Sequence, residues 1–205
     1  MTLKHNTQDK IIQTATRLFL EKGYDRTSVR DIASKAKINV SLMNYYFRSK
    51  ELLFETIIDI LIGKASASLK EILNAPLELN TKINKYISKY IDILIDNPLL
   101  ISFVLAVLNR NPEKLTQIKV ADNLYNSEFF SNQLKEEAEK GNIREVNPEQ
   151  LYINMLSLIA FPFAIKDMIN HRNNYNNKEF VRFIHSRKII IYEMIISYLQ
   201  PNQNY

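Results

Sequence analysis

Cysteine is absent from this sequence, so neither a disulfide framework nor thiol chemistry is open to it. Glycine is scarce, with 3 among 205 residues, and proline comes to 6. Sheets need more turn residues than that, and the shortage points to an all-α protein. The histidines, His5, His171 and His185, lie far apart, and no pair has metal-ligand spacing. There is no glycine-rich phosphate loop and no convergent set of polar residues. We therefore expect no enzyme, no catalytic residue, no cofactor and no metal site. Long apolar runs are missing as well. Leu99–Leu108 and Leu156–Ile165 reach about ten residues each, where a membrane-spanning helix needs about 20. Nothing resembles a signal peptide. The expectation is a soluble, cytoplasmic chain with no membrane partner, long enough for one or two domains.

What is present is unevenly charged. The formal net charge is +5, yet residues 1–50 alone hold ten Lys or Arg against four acids. The other 155 residues carry 17 basic and 18 acidic side chains. The basic excess thus lies wholly in the N-terminal quarter. It suits a polyanionic partner, with a merely solvated basic surface as the plain alternative.

The same quarter contains the stretch that organises the chain, Thr27 to Phe47. Ser28 can cap a helix, and Asp31 three residues on can reach back to it. Val29, Ile32, Ala33 and Ala36 then share one helical face. Ala33 is small enough to let a second helix cross closely. Lys37-Ile38-Asn39 makes a turn, and Val40 to Phe47 makes a second helix, anchored by Met43 and Phe47. Val40, Ser41, Leu42, Asn44 and Tyr46 are then candidates for the outward face. A short helix held across another is the form that enters a DNA major groove. Upstream, Asn6 can cap a first helix with Ile11, Ile12, Ala15, Leu18 and Phe19 as its stripe, closed by Gly23. Downstream, Ser49 can cap a fourth, whose free amides beside Lys50 make a phosphate site.

These residues resemble the DNA-binding domain of the TetR family of bacterial transcriptional regulators. The resemblance covers roughly residues 8–55. It rests on Ile12, Ala15, Leu18-Phe19, Gly23-Tyr24, Thr27-Ser28, Ile32-Ala33, Tyr46-Phe47 and Lys50-Glu51-Leu52-Leu53. It implies a helix-turn-helix domain at residues 1–50 and a helical effector-binding and dimerisation domain at 51–205, about nine helices in all. It implies that Arg30, Val40, Ser41, Leu42 and Asn44 face bases, and that Thr27, Tyr45, Tyr46 and Lys50 face phosphates of an operator duplex. Two positions depart from the family pattern. Lys37 stands where a turn glycine is usual, and Asn44 where a tyrosine is common. Asn44 exchanges an aromatic phosphate contact for a side chain able to bond an adenine edge twice.

Beyond residue 60 the pattern is helical and mostly apolar. Pro76 and Glu78–Asn80 mark a break, after which Ile83, Tyr86, Ile87, Tyr90, Ile91 and Leu94 form an amphipathic stripe. Asn97-Pro98, Asn111-Pro112 and Asn147-Pro148 each read as a helix start. The third opens a helix expected to run to about Ile169, apolar nearly all round and kinked by Pro162 near Leu158. The final helix, from about Lys178 to Leu199, is similar in its second half. A helix without a polar face must be covered on all sides, so a second copy is expected there, giving a homodimer through the last two helices. The resemblance implies the same. It also implies a small-molecule effector among the middle helices, with Tyr86, Tyr90, Phe103, Tyr125, Phe129, Met155 and Phe161 as candidate pocket residues. Plain core is the alternative for each. No buried charge stands out as a ligand partner, so a mostly apolar ligand is expected. The whole reads as a repressor released from a palindromic operator by such a ligand. A second reading is an interaction module whose C-terminal domain binds a protein or peptide.

Overall fold

The computed structural model describes residues 2–98, 100–102, 104–105 and 127–201. Phe103, Tyr125, the Asn111-Pro112 pair and the expected break near Asp122 lie outside the described residues. Among the described residues there are nine longer α-helices and no strand, as an all-α chain requires. They are α1 (Thr2–Lys22), α2 (Val29–Ala36), α3 (Val40–Phe47), α4 (Lys50–Asn74), α5 (Leu79–Asp96), α6 (Glu128–Glu139), α7 (Pro148–Ala164), α8 (Lys166–Asn173) and α9 (Asn177–Leu199). The chain divides into two compact units, Met1–Lys64 and Ala65–Tyr205, and the division falls inside α4.

In the first unit the core is the expected one. Ile11, Ala15, Leu18 and Phe19 of α1 are buried with Ile32, Ala33 and Ala36 of α2 and Met43 and Phe47 of α3. α1 begins at Thr2, ahead of the expected cap at Asn6, and Gly23 ends it with φ 80°. Phe19, Tyr24 and Phe54 form a ring cluster, with centroids 4.5–5.5 Å apart.

In the second unit α5 is central and packs on α7 and α9. Ile83, Ile87, Ile91 and Leu94 are at most 1% exposed. Each such side chain contributes about 1.5–3 kcal/mol by leaving water. Side-chain bonds fix the same contacts. The Tyr86 hydroxyl donates to that of Tyr152 on α7 at 3.0 Å, and Lys188 of α9 meets Asp92 of α5 at 2.6 Å. Asn147 and Asn176 cap α7 and α9 through their side-chain oxygens, the latter in a capping box with Glu179.

The helix does not run on to Ile169. It continues unbroken past Pro162 to Ala164, and the chain bends by 61° across Ile165 into α8. Proline at 162 has no N–H for the carbonyl four residues back, which is that of Leu158. That carbonyl instead accepts a hydrogen bond from the Arg187 guanidinium on α9, at 3.0 Å. The carbonyl thus keeps a partner, and the helix continues unbroken to Ala164. Among the described residues no single helix is long and apolar enough to cross a membrane; α7 and α8 meet that measure only together, across their bend.

The pairing of Pro162 with Arg187 predicts a coupled stability effect. Arg187→Met leaves the Leu158 carbonyl bare and lowers stability by about 1–3 kcal/mol in urea denaturation. In a Pro162→Ala background the alanine N–H can serve that carbonyl, and the same change should be milder by roughly 1 kcal/mol. Equal losses in both backgrounds would show that Arg187 does not stand in for the missing amide.

Candidate nucleic-acid interface and effector cavity

The helix-turn-helix is built from its caps. The Ser28 hydroxyl accepts from the Asp31 amide at 3.1 Å, and the Asp31 carboxylate accepts from the Ser28 amide at 2.8 Å. Hydrogen bonds from the Ser28 hydroxyl and amide hold the Asp31 carboxyl below the usual aspartate range. At the other end of α2, Lys37 takes the left-handed conformation, φ 54° and ψ 48°, that glycine adopts without strain. Its amide closes on Ser34, and the Ile38 amide on Ala33, so the turn is fully bonded in spite of the lysine. Asn39 then caps α3 by accepting from the Leu42 amide at 2.7 Å. Capped at one end and anchored by Met43 and Phe47, α3 has most of the side chains on its other sides exposed.

Those sides carry most of the residues expected at DNA bases. Arg30, Val40, Ser41 and Asn44 are exposed, Leu42 is half-buried, and Tyr45 is 65% exposed. Tyr46 is half-buried, its ring edge-on to Tyr45 at 5.4 Å. Arg26, Lys35, Lys37 and Arg48 are further exposed cations of the same unit.

Two expected phosphate contacts serve the fold. Thr27 is fully buried, and its hydroxyl donates to the Gly23 carbonyl at 2.9 Å beside that of Leu18. Its side chain holds the loop into α2 and cannot reach a phosphate. Lys50 points back from the start of α4. Its ammonium donates to the carbonyls of Tyr24 and Thr27, both at 3.1 Å, and lies 4.0 Å from the Tyr24 ring centre. One N–H remains for an outside acceptor. The Tyr24 hydroxyl donates to Glu51 at 2.6 Å and lowers the Glu51 carboxyl below its ordinary range. Sequence spacing could not show this clamp, because it joins residues more than 20 positions apart through backbone oxygens.

The candidate effector residues are scattered. Tyr86, Tyr90 and Met155 are buried between α5 and α7, Phe161 is 61% exposed and Phe129 is 46% exposed. A cleft of about 400 Å³ lies beside α6, lined by Pro76, Leu77, Glu78, Phe129, Asn132, Gln133, Glu136, Glu137 and Lys140. Behind it is a group the sequence did not single out. Lys82, on α5, is fully buried, although no buried charge was expected. Its ammonium donates to Gln133 Oε1 at 2.5 Å and lies 4.4 Å from the Phe129 ring centre. Burial pushes its pKa below the usual lysine range. The signal available in sequence was only its position, one residue before Ile83 and four before Tyr86. Among the described residues no group of His, Asp and Glu could hold a metal ion.

Comparison with known proteins agrees with this geometry. Residues 11–57 match the family model described as "Bacterial regulatory proteins, tetR family". The chain is 46% identical over 56 residues to the "Probable HTH-type transcriptional regulator YttP" of Bacillus subtilis, a match covering 27% of each chain. It is 46% identical over 48 residues to the "Biofilm operon icaADBC HTH-type negative transcriptional regulator IcaR" of Staphylococcus aureus strain Newman, covering 23% of this chain and 26% of that one. The chain thus spans about a quarter of the length of the curated relatives it matches. Over its whole length it is similar in fold to solved structures. A TetR transcription regulator from Haloarcula marismortui superposes with TM-score 0.70 at 16% identity, covering 96% of this chain and 100% of that one. The TetR family transcriptional regulator PfmR from Thermus thermophilus gives 0.69 at 20% identity, covering 89% and 94%. Residues 11–57 therefore match the helix-turn-helix segment of the TetR family, within a chain whose fold is similar to those of solved TetR regulators.

Proposed function

We propose that the protein is a homodimeric transcriptional repressor whose α3 reads an operator and whose second unit binds an effector that releases it. The observation that carries the reading is α3 itself: capped, anchored on one side, and exposing Ser41, Asn44 and Tyr45 within the basic N-terminal unit. Asn44 is the adenine reader, Arg30, Val40, Ser41 and Leu42 accompany it, and Tyr45, Tyr46 and the remaining Lys50 hydrogen bond to phosphates. The IcaR relative is named as a negative regulator, which supports repression over activation.

Dimerisation is supported by apolar side chains left in the open on α7–α9. Phe161 and Met168 are each 61% exposed, Ile189 65%, Ile190 45% and Met194 50%. Exposed apolar side chains in this number on neighbouring helices suit a partner surface. A second copy supplies one, and its two-fold symmetry suits a palindromic site. An effector that binds only the wide-set arrangement of two reading helices lowers operator affinity by its differential affinity for that arrangement.

Fluorescence anisotropy on DNA flanking the gene, against an unrelated duplex and across a salt series, tests the DNA reading. Asn44→Ala should cost about 1–3 kcal/mol on the operator and little on the unrelated duplex. Tyr45→Phe should weaken both duplexes alike. Binding of the parent protein that is equal for both duplexes would overturn base reading by α3. For the dimer, Ile189→Asp with Met194→Glu should give a monomer in sedimentation and weaken operator binding by at least about tenfold. A wild-type monomer at micromolar concentration would refute this part of the proposal.

A further inference from the structure

We infer that the cleft beside α6 is a binding site for a small monocarboxylate on an apolar body, and that Lys82 is its charge-recognising residue. The inference rests on the effector reading above and names the ligand class. Lys82 is fully buried, yet its ammonium faces an amide oxygen and an aromatic ring and, among the described residues, no carboxylate. An ammonium taken out of water without a counter-ion is left with an uncompensated desolvation penalty. Helix α5 tolerates it where an isoleucine or leucine would simply pack.

Both of its neighbours are also walls of the cleft. Phe129 and Gln133 line the cavity on one side and touch Lys82 on the other. Gln133 is held in place from its amide end, which donates to the Leu77 carbonyl at 2.8 Å. Its oxygen therefore occupies the spot that an anionic oxygen would take against Lys82. A carboxylate entering from the cleft would replace that neutral acceptor with a charged one, in a site screened from water by the Phe129 ring. Pro76, Leu77 and Phe129 supply apolar contact for the rest of the molecule.

The lining sets a second condition. Glu78, Glu136 and Glu137 line the cleft, and among its described lining residues Lys140 is the single cation, already 2.9 Å from Glu137. A ligand with negative charge at both ends would meet these carboxylates. The site should therefore select one carboxylate and reject a second.

Calorimetric titration of the purified protein with matched compounds tests the site without DNA. The set is benzoate, phenylacetate, hexanoate and decanoate, each beside its primary amide, with adipate as the diacid. At least one monocarboxylate should bind at least about tenfold more tightly than its amide, and adipate more weakly than hexanoate. Lys82→Met, close in volume, should abolish the preference for acid over amide while keeping its helical circular dichroism. Should that variant not fold, Phe129→Ala serves instead. At its exposed position it admits water to the ammonium and should cut the preference to under about threefold. No binding by any carboxylate up to roughly 10 mM, equal binding of acid and amide, or a preference untouched by these variants would overturn the assignment. The same compounds are then added to the operator complex. Carboxylate binding without release would leave the site standing and refute the ligand-released repressor; release by compounds that ignore Lys82 would do the reverse.

Discussion

Every helix leaves four amides and four carbonyls without intrahelical partners at its ends, and a chain built almost wholly from helices meets that demand again and again. With only three glycines, this one closes some helix ends with Lys37 and Asn174 in the left-handed conformation. At the helix starts it uses polar side chains. Ser28, Asn39, Ser49, Ser127, Asn147 and Asn176 each accept from a helix amide. The same economy extends to carbonyls away from helix starts, where Lys50 serves Tyr24 and Thr27 and Arg187 serves Leu158. The positions of α3 and α7, and hence of the surfaces offered to DNA and to a second copy, follow from these closures.

Much of this was legible beforehand. A cap is a local matter of residue type and spacing, so the box at Ser28 and Asp31, the turn at Lys37 and the bounds of α3 could be read directly. The stripe of α5 was legible for the same reason. What could not be read was where long cationic side chains end. Lys50, Lys82 and Arg187 each have four or more rotatable bonds, and sequence fixes only the first atom. Two of the three turn inward to backbone carbonyls, and the third is buried beside a ring and an amide. Pro162 shows the same limit. Local rules foresaw the missing hydrogen bond, but not that a residue 25 positions later on α9 would serve the carbonyl it left.

The candidate DNA surface divides along that line. Residues on α3 project from a short rigid helix, so their exposure could be anticipated from a helical wheel. Thr27, in the loop before α2, and Lys50, at the start of α4, are held by tertiary bonds, and their family-based roles do not carry over unchanged. Thr27 contributes through the loop it fixes. In the second unit, buried aromatics such as Tyr86 and Tyr90 were legible as core or pocket alike, and only the burial of Lys82 beside a cleft gives a chemical preference to one place.

One more consequence lies in the backbone on either side of α3. Lys37 and Arg48 both sit at positive φ, 54° and 53°, where glycine would be unstrained. Each trades conformational ease for an exposed cation beside the reading helix. Stability and electrostatic attraction are therefore opposed at these two positions. Directed evolution toward heat resistance should drift to glycine there, and selection for tight promoter occupancy should hold the basic residues in place.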